Sequence, residues 1–376
     1  MKREGRNRTI DIFRAIAILA VLIYHFYYFC DYPYQAHTIL NRFLGIGGEL
    51  GVTLFFIISG FGIAASLQNM EEKEGKISAK RFLQKRFLRI LPQYYACIGI
   101  LLLLTSSAQY VNKKGLFDVL THVIFIHNWF PSTHGSINGV LWSMGTIFQF
   151  YIVAVWVKKI FDKNKWLTVG GAVLISVGLK ILFYHWILPA RAADASWYFI
   201  YARQIFTALD NFLFGMLLHS LLQSDRIKWR KGSAAAGAVV SLGFCCWWIL
   251  LLIKYSPYAD NLMGYIWHTV FAFGLTVLMY FICALHFSWK GIVSRIILWI
   301  SKYQYGTYIW HFVVTSTLLT YSSAIQIIAR NSFIIFSLSM TVLCCFVGYA
   351  STVFFETVSY REEWKKIKED FSKKQV

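Results

Sequence analysis

The sequence predicts an all-α, polytopic integral membrane protein with about ten transmembrane helices. Three observations predict it. The 376-residue chain is 57% hydrophobic and 15% charged, whereas a soluble domain carries roughly 25% charge and 45–50% apolar residues. Uncharged apolar runs near the ~20 residues that a bilayer core requires recur along its length. The basic residues collect in the short segments between those runs, where a membrane protein faces anionic lipid.

The ten expected spans are approximately 11–30, 48–68, 91–108, 142–161, 166–187, 203–223, 234–254, 263–286, 303–321 and 332–356. Backbone polar groups within lipid must be paired inside the segment, so spans of this length are helices. The ten-residue alternating segments of a barrel are not seen. The N-terminal MKREGRNR and following apolar stretch resemble a signal peptide, but the stretch carries Arg14 and His25 and lacks a small-x-small cleavage site. It reads as a retained first helix.

Lys and Arg orient the chain. The segments on the side of both termini hold 28 of them and the opposite segments 7, which places both termini in the cytoplasm and requires an even number of spans. The net charge of +19 follows this topology and is not read as nucleic-acid binding. Residues 69–90 are expected to form a basic amphipathic helix on the inner surface. The long outer loop, 109–141, contains FDVLTHVIFIHNWFP, too short to span and so re-entrant or interfacial. No repeat and no soluble domain is visible, so residues 1–376 read as one transmembrane domain ending in a short charged cytoplasmic tail, 357–376. The seven cysteines show neither a disulfide framework nor metal-ligand spacing.

Chemistry is concentrated in the first helix. Arg14 and His25 are eleven residues apart, which puts them on one face and about 16 Å apart along the axis. Asp11 precedes Arg14 by three residues and is placed to pair with it. An ionisable residue inside a span is costly and points to function, although an arginine snorkelling to the interface and a histidine bonding a neighbouring helix are the plainer alternatives. Histidine suits general-base catalysis near neutrality. Arginine, a permanent planar cation, suits phosphate. Together they fit acyl transfer to an alcohol from a phosphate-bearing thioester donor entering at the inner side. Arg86 and Arg89, with Arg81 and Lys85 upstream, read either as positive-inside anchors or as a clamp on the phosphates of coenzyme A.

A further polar set lies near membrane level: Ser59, Trp142, Ser143, Gln149, Tyr151, Asp210 and His311. Asp210 and His311, inside apolar runs, are expected to be paired interior residues. His219 and His268 lie near span ends and read as interfacial packing. His122, His127 and His134 have spacings of five and seven, poor for a metal, and no metal is expected.

Six strings, in order, carry a resemblance: TIDIFRAIAILAVLIYHF, GVTLFFIISGF, RFLQKRFLRILPQYY, LWSMGTIFQFY, DNFLFGMLLH and YGTYIWHFVV. They resemble the membrane-bound acyltransferase family 3. The resemblance implies a ten-helix protein of the cell membrane that O-acylates carbohydrates of cell-surface polymers or lipids. It implies His25 as the catalytic histidine, Arg14 as its companion, and Arg86 and Arg89 as the arginine pair. Trp142, Ser143, Asp210 and His311 are expected to bind substrate. The expected partners are acyl-CoA, with acetyl-CoA as donor substrate and no bound cofactor, a carbohydrate or glycolipid acceptor, and membrane lipid. The sequence departs from the family pattern at Thr53, where an acidic residue is common, at Ile147, where a glutamate is common, and at Ala208, where an arginine is common. A transporter or flippase of a polysaccharide or lipid-linked sugar is the rival reading, since intramembrane charge suits that class equally.

Overall fold

A computed structural model describes residues 7–31, 33–34, 38–104, 112–187, 200–224, 229–255 and 261–372, with side chains in the last stretch from 262 to 356. Among the described residues the chain is helical and contains no strand. The helices are α1 (Arg8–Phe29), α2 (Ile39–Glu74), α3 (Ala79–Leu104), α4 (Lys113–Val123), α5 (Trp142–Lys163), α6 (Lys165–Leu182), α7 (Leu209–Gln223), α8 (Lys231–Tyr255), α9 (Asn261–Ala284), α10 (Ile292–Tyr321), α11 (Ser323–Asn331) and α12 (Phe333–Ser372). A π-helical turn, Phe183–Ile187, extends α6, and a 3₁₀ turn covers His127–Trp129.

Eight of these helices are long and apolar enough to cross a membrane, nine if α10 and α11, bent by 102° at Ser322, form one span. Large apolar side chains point away from the protein on α6, α8 and α12, with Leu174 76%, Val240 72% and Val342 72% exposed. Water would penalise such a belt and hydrocarbon would not. The protein is a multi-pass membrane protein.

Several expected boundaries move. The sixth expected span, 203–223, contains only the 15 helical residues of α7, about 22 Å of helix against a core of ~30 Å. Residues before it turn because Thr207 Oγ1 donates to the carbonyls of Tyr201 (2.7 Å) and Gln204 (3.1 Å), local bonds that compete with a helix. The basic segment 69–90 is not a separate surface helix. Its first residues finish α2, which stops at Gly75 in the left-handed region (φ 69°). The rest opens α3, which continues through Pro92. Arg86 and Arg89 therefore stand within α3. Residues 105–108 of the third expected span and 373–376 of the tail lie outside the described residues.

α1 packs between α2 and α10, α2 crosses α7, and α10 packs along α12. The core of α1 is Ala17, Ile18, Val21, Leu22 and Phe26, all fully buried. The α2–α7 crossing depends on glycine. A Cβ on Gly60 would collide with the Phe212 carbonyl, and one on Gly215 with the Ile57 carbonyl. Backbones at this distance leave no room for a side chain, the small-residue contact that draws helices together in lipid.

The segment between α4 and α5 folds onto the bundle. Gln149 of α5 donates to the Phe125 carbonyl (2.7 Å) and Asn128 Oδ1 (2.8 Å) and accepts from Trp129 (3.1 Å). The His122 and His127 rings stack with centroids 4.0 Å apart, both fully buried. Burial, with a smaller contribution from neighbouring His122, pushes His127 down to about 3. Burial also lowers His134.

Candidate active site

α1, α2, α3, α5, α10 and α12 enclose a cavity of about 460 Å³. α2 contributes Val52, Phe55, Phe56, Ser59 and Gly62, and α5 contributes Ser143, Ile147 and Tyr151. Both sets follow helical periodicity, so each is one face of its helix. One end of the cavity is cationic. Arg14, Arg86, Arg89 and Lys302 line it, with Glu356 the single acidic residue on the wall. A concave site with several cations in a low-dielectric surround suits a polyanionic ligand. Lys302 was not singled out in the sequence, where it read as one basic residue of a loop; the N-terminal extension of α10 brings it to the cavity.

Two of the arginines are fixed by close neighbours, Arg14 on its own helix and Arg86 across helices. Arg14 pairs with Asp11, one turn earlier on α1. Arg86 donates to the Gly62 carbonyl at 3.0 Å, and its guanidinium lies 5.4 Å from the ring centroids of Phe82 and Tyr151. These contacts hold the planar head while its charge stays on the cavity wall.

Ser143 and Tyr308 line the cavity away from these cations, and their hydroxyls are 2.7 Å apart. Tyr308 also donates to the Val140 carbonyl at 2.9 Å. One turn further along α10, His311 meets His25: His311 Nε2 is 3.1 Å from His25 Nδ1. His311 is fully buried, while His25 is half-buried between the rings of Tyr24 (4.9 Å) and Phe312 (5.7 Å). The structure thus brings Arg14, Arg86, Arg89 and Ser143 to one cavity, while His25 and His311 are not among its lining residues and His311 stands one helical turn from the lining Tyr308. The pairing of the two histidines was invisible in the sequence, since 286 residues separate them.

Trp142 and Asp210 stand apart from the cavity. They belong to a second buried polar group on the other side of α2. Glu49 forms an ion pair with Arg203 and lies 3.5 Å from His268 Nε2. The Arg203 guanidinium lies 4.5 Å from the Trp142 ring centroid. Asp210 is fully buried and accepts from Thr269. His268, which reads as interfacial in the sequence, is instead a buried partner of Glu49. Thr53 lines the cleft beside Glu49, so a carboxylate stands one helical turn from the position where the family often carries one. Ile147 lines the main cavity. His219 packs edge-on to Phe61 at 5.2 Å. No group of three metal-ligating side chains is assembled among the described residues.

Residues 7–350 match the family Acyl_transf_3, described as an acyltransferase domain. The chain belongs to this acyltransferase family. Among proteins similar to this chain, a Staphylococcus aureus (strain COL) protein named "Putative O-acetyltransferase SACOL0978" is 26% identical over 381 residues, covering 94% of this chain and 56% of its own length. The protein named "Peptidoglycan O-acetyltransferase OatA" from Listeria monocytogenes is 27% identical over 346 residues, covering 84% of this chain and 51% of its own. A Caenorhabditis elegans protein named "Regulator of hypoxia-inducible factor 1" is 28% identical over 174 residues, 41% of this chain and 34% of its own. The chain therefore spans about half the length, or less, of the curated relatives it matches. No solved structure matches it significantly.

Proposed function

We propose that the protein is a membrane-bound O-acyltransferase that moves an acyl group, acetyl in the first instance, from acyl-CoA to a hydroxyl of a cell-surface carbohydrate or lipid-linked glycan. The observation that carries this reading is one cavity lined by four cations, with a histidine pair one turn of α10 from its wall at Tyr308. Coenzyme A carries its phosphates far from its thioester, and such a donor needs cations at one end and proton chemistry at the other.

In this reading both termini face the cytoplasm of a cell-membrane protein, as the 28-to-7 distribution of Lys and Arg favours. Acyl-CoA enters from that side. Arg14, Arg86, Arg89 and Lys302 hold its phosphates through charge-assisted hydrogen bonds. The acyl thioester lies toward Ser143 and Tyr308. His25 takes the proton of the acceptor hydroxyl as its oxygen attacks the thioester carbonyl, and returns it to the departing thiolate. The relatives named as O-acetyltransferases support the acetyl group.

The test is donor-dependent labelling. Purified protein in liposomes is given radiolabelled acetyl-CoA inside and a soluble glycan outside, and ester-linked label and free thiol are followed. His25→Ala should reduce transfer by about 10²–10⁴-fold. Turnover at the wild-type rate in that variant defeats the assignment. Glycan movement without thiol release marks a transporter instead.

A further inference from the structure

His311 Nδ1 lies 2.7 Å from the carbonyl oxygen of Tyr308. A carbonyl only accepts, so this nitrogen carries a proton. A neutral imidazole has one N–H, which leaves His311 Nε2 as an acceptor. That nitrogen is 3.1 Å from His25 Nδ1. His25 Nδ1 also lies 2.9 Å from the Val21 carbonyl, so it too must be protonated. Among neutral states of the pair, one arrangement satisfies all three contacts. His311 Nδ1–H donates to Tyr308, and His25 Nδ1–H is shared between Val21 and His311 Nε2. The remaining nitrogen, His25 Nε2, then carries the lone pair.

We propose that His311 is a positioning residue that accepts from His25 Nδ1–H and so presents His25 Nε2 as the proton acceptor of the reaction. This rests on the reading of His25 as the base. The tautomer of a histidine is set by the bond its other nitrogen makes, and catalytic bases are commonly oriented by a third group. When the acceptor hydroxyl attacks, its proton moves to His25 Nε2 and a C–O bond forms. The cation then donates through Nδ1 to His311, a bond strengthened by the new charge. As the C–S bond breaks, the proton leaves Nε2 for the sulfur. The products are an ester and a free thiol, and the neutral pair is restored. His311 itself changes no bond.

Two substitutions separate positioning from packing. In His311→Phe a ring fills the space but accepts nothing. In His311→Gln the amide N–H can meet the Tyr308 carbonyl while the amide oxygen accepts from His25. With reconstituted protein and acetyl-CoA, His311→Phe is expected to lower kcat about 10- to 100-fold with donor KM within about twofold, and His311→Gln to recover most of that loss. Equal activity of the two variants, high or low, overturns the proposal. A second measurement needs no variant of His311. In ¹⁵N-histidine solid-state NMR of the wild-type protein, with the His25 signals assigned by their loss in His25→Ala, His25 Nε2 should resonate as an unprotonated nitrogen. A protonated Nε2 in the resting protein overturns the proposal whatever the variants do. Failure of the base assignment is distinct: it shows as wild-type turnover in His25→Ala.

Discussion

Arg203, in the turn before α7, forms an ion pair with Glu49 of α2, and both side chains are mostly buried, at 17% and 10% exposed. The pair ties a short helix to a long one at a depth where a lone charge is costly. Breaking such a pair costs more than deleting it, because one desolvated charge is left behind. Arg203→Met is expected to destabilise the detergent-solubilised protein by about 3–5 kcal/mol. Adding Glu49→Gln to it should restore most of the loss. Thermal unfolding of the two single variants and the double variant checks this; additive losses refute the coupling.

The cationic end of the cavity predicts a defect in donor affinity rather than in chemistry. Arg86→Ala, Arg89→Ala and Lys302→Ala should each raise the KM for acetyl-CoA by roughly 10- to 100-fold, the worth of one charge-assisted bond, and leave kcat near wild type. At least one of the three variants should discriminate less between acetyl-CoA and its 3′-dephospho form. Initial-rate kinetics with both donors measures this. Equal KM values in wild type and variants would remove the phosphate assignment.

The backbone contact of α2 with α7 predicts a stability defect without any chemical role. Gly60→Ala and Gly215→Ala each force a methyl group against a carbonyl of the facing helix, costing about 1–3 kcal/mol. Gly99→Ala and Gly243→Ala, where an added Cβ meets nothing within 4 Å, should be neutral or slightly stabilising. Melting temperatures of the four variants decide it.

The buried histidines between α4 and α5 predict acid sensitivity. His127 is held neutral down to about pH 3, whereas in the unfolded chain it titrates near 6.5. Between these values the unfolded state binds more protons, so stability rises with pH across that window and falls on acidification through it. Each pH unit within the window is worth about 1.4 kcal/mol from His127 alone. Unfolding between pH 6 and 4 should show close to this slope from His127 in the wild type and a shallower one in His127→Phe. An unchanged slope refutes the account.

The reading of membrane helices from sequence depends on two signals, apolar length and the placement of Lys and Arg; each expected span overlaps a helix, although α2, α3 and α10 begin nine to twelve residues earlier than expected. α7 is shorter than its expected span. Its apolar run continues upstream through residues whose side chains bond local carbonyls, and hydropathy does not register such bonds. The cavity was legible one helix at a time: Arg14 from its cost in a span, Arg86 and Arg89 from their spacing. Contacts between helices were not. Nothing local in YGTYIWHF says that its histidine meets His25, and nothing in GGELGV says that Glu49 meets Arg203. Lys302 was hidden because α10 begins eleven residues before the expected span.

α10 carries Lys302 on the wall of the cavity and His311 nine residues later, roughly 13–14 Å apart along the axis. α1 independently sets Arg14 and His25 about 16 Å apart. Two rigid rods thus impose nearly the same span between an anion grip and one member of the histidine pair. On the proposed reading the protein gauges its donor by reach. A compact acyl phosphate is too short to engage both stations at once, whereas a thioester at the tip of a long phosphorylated arm bridges them. Selection by length would leave the acyl group itself almost unread, and the size of that group would then be limited only by the room beside Ser143.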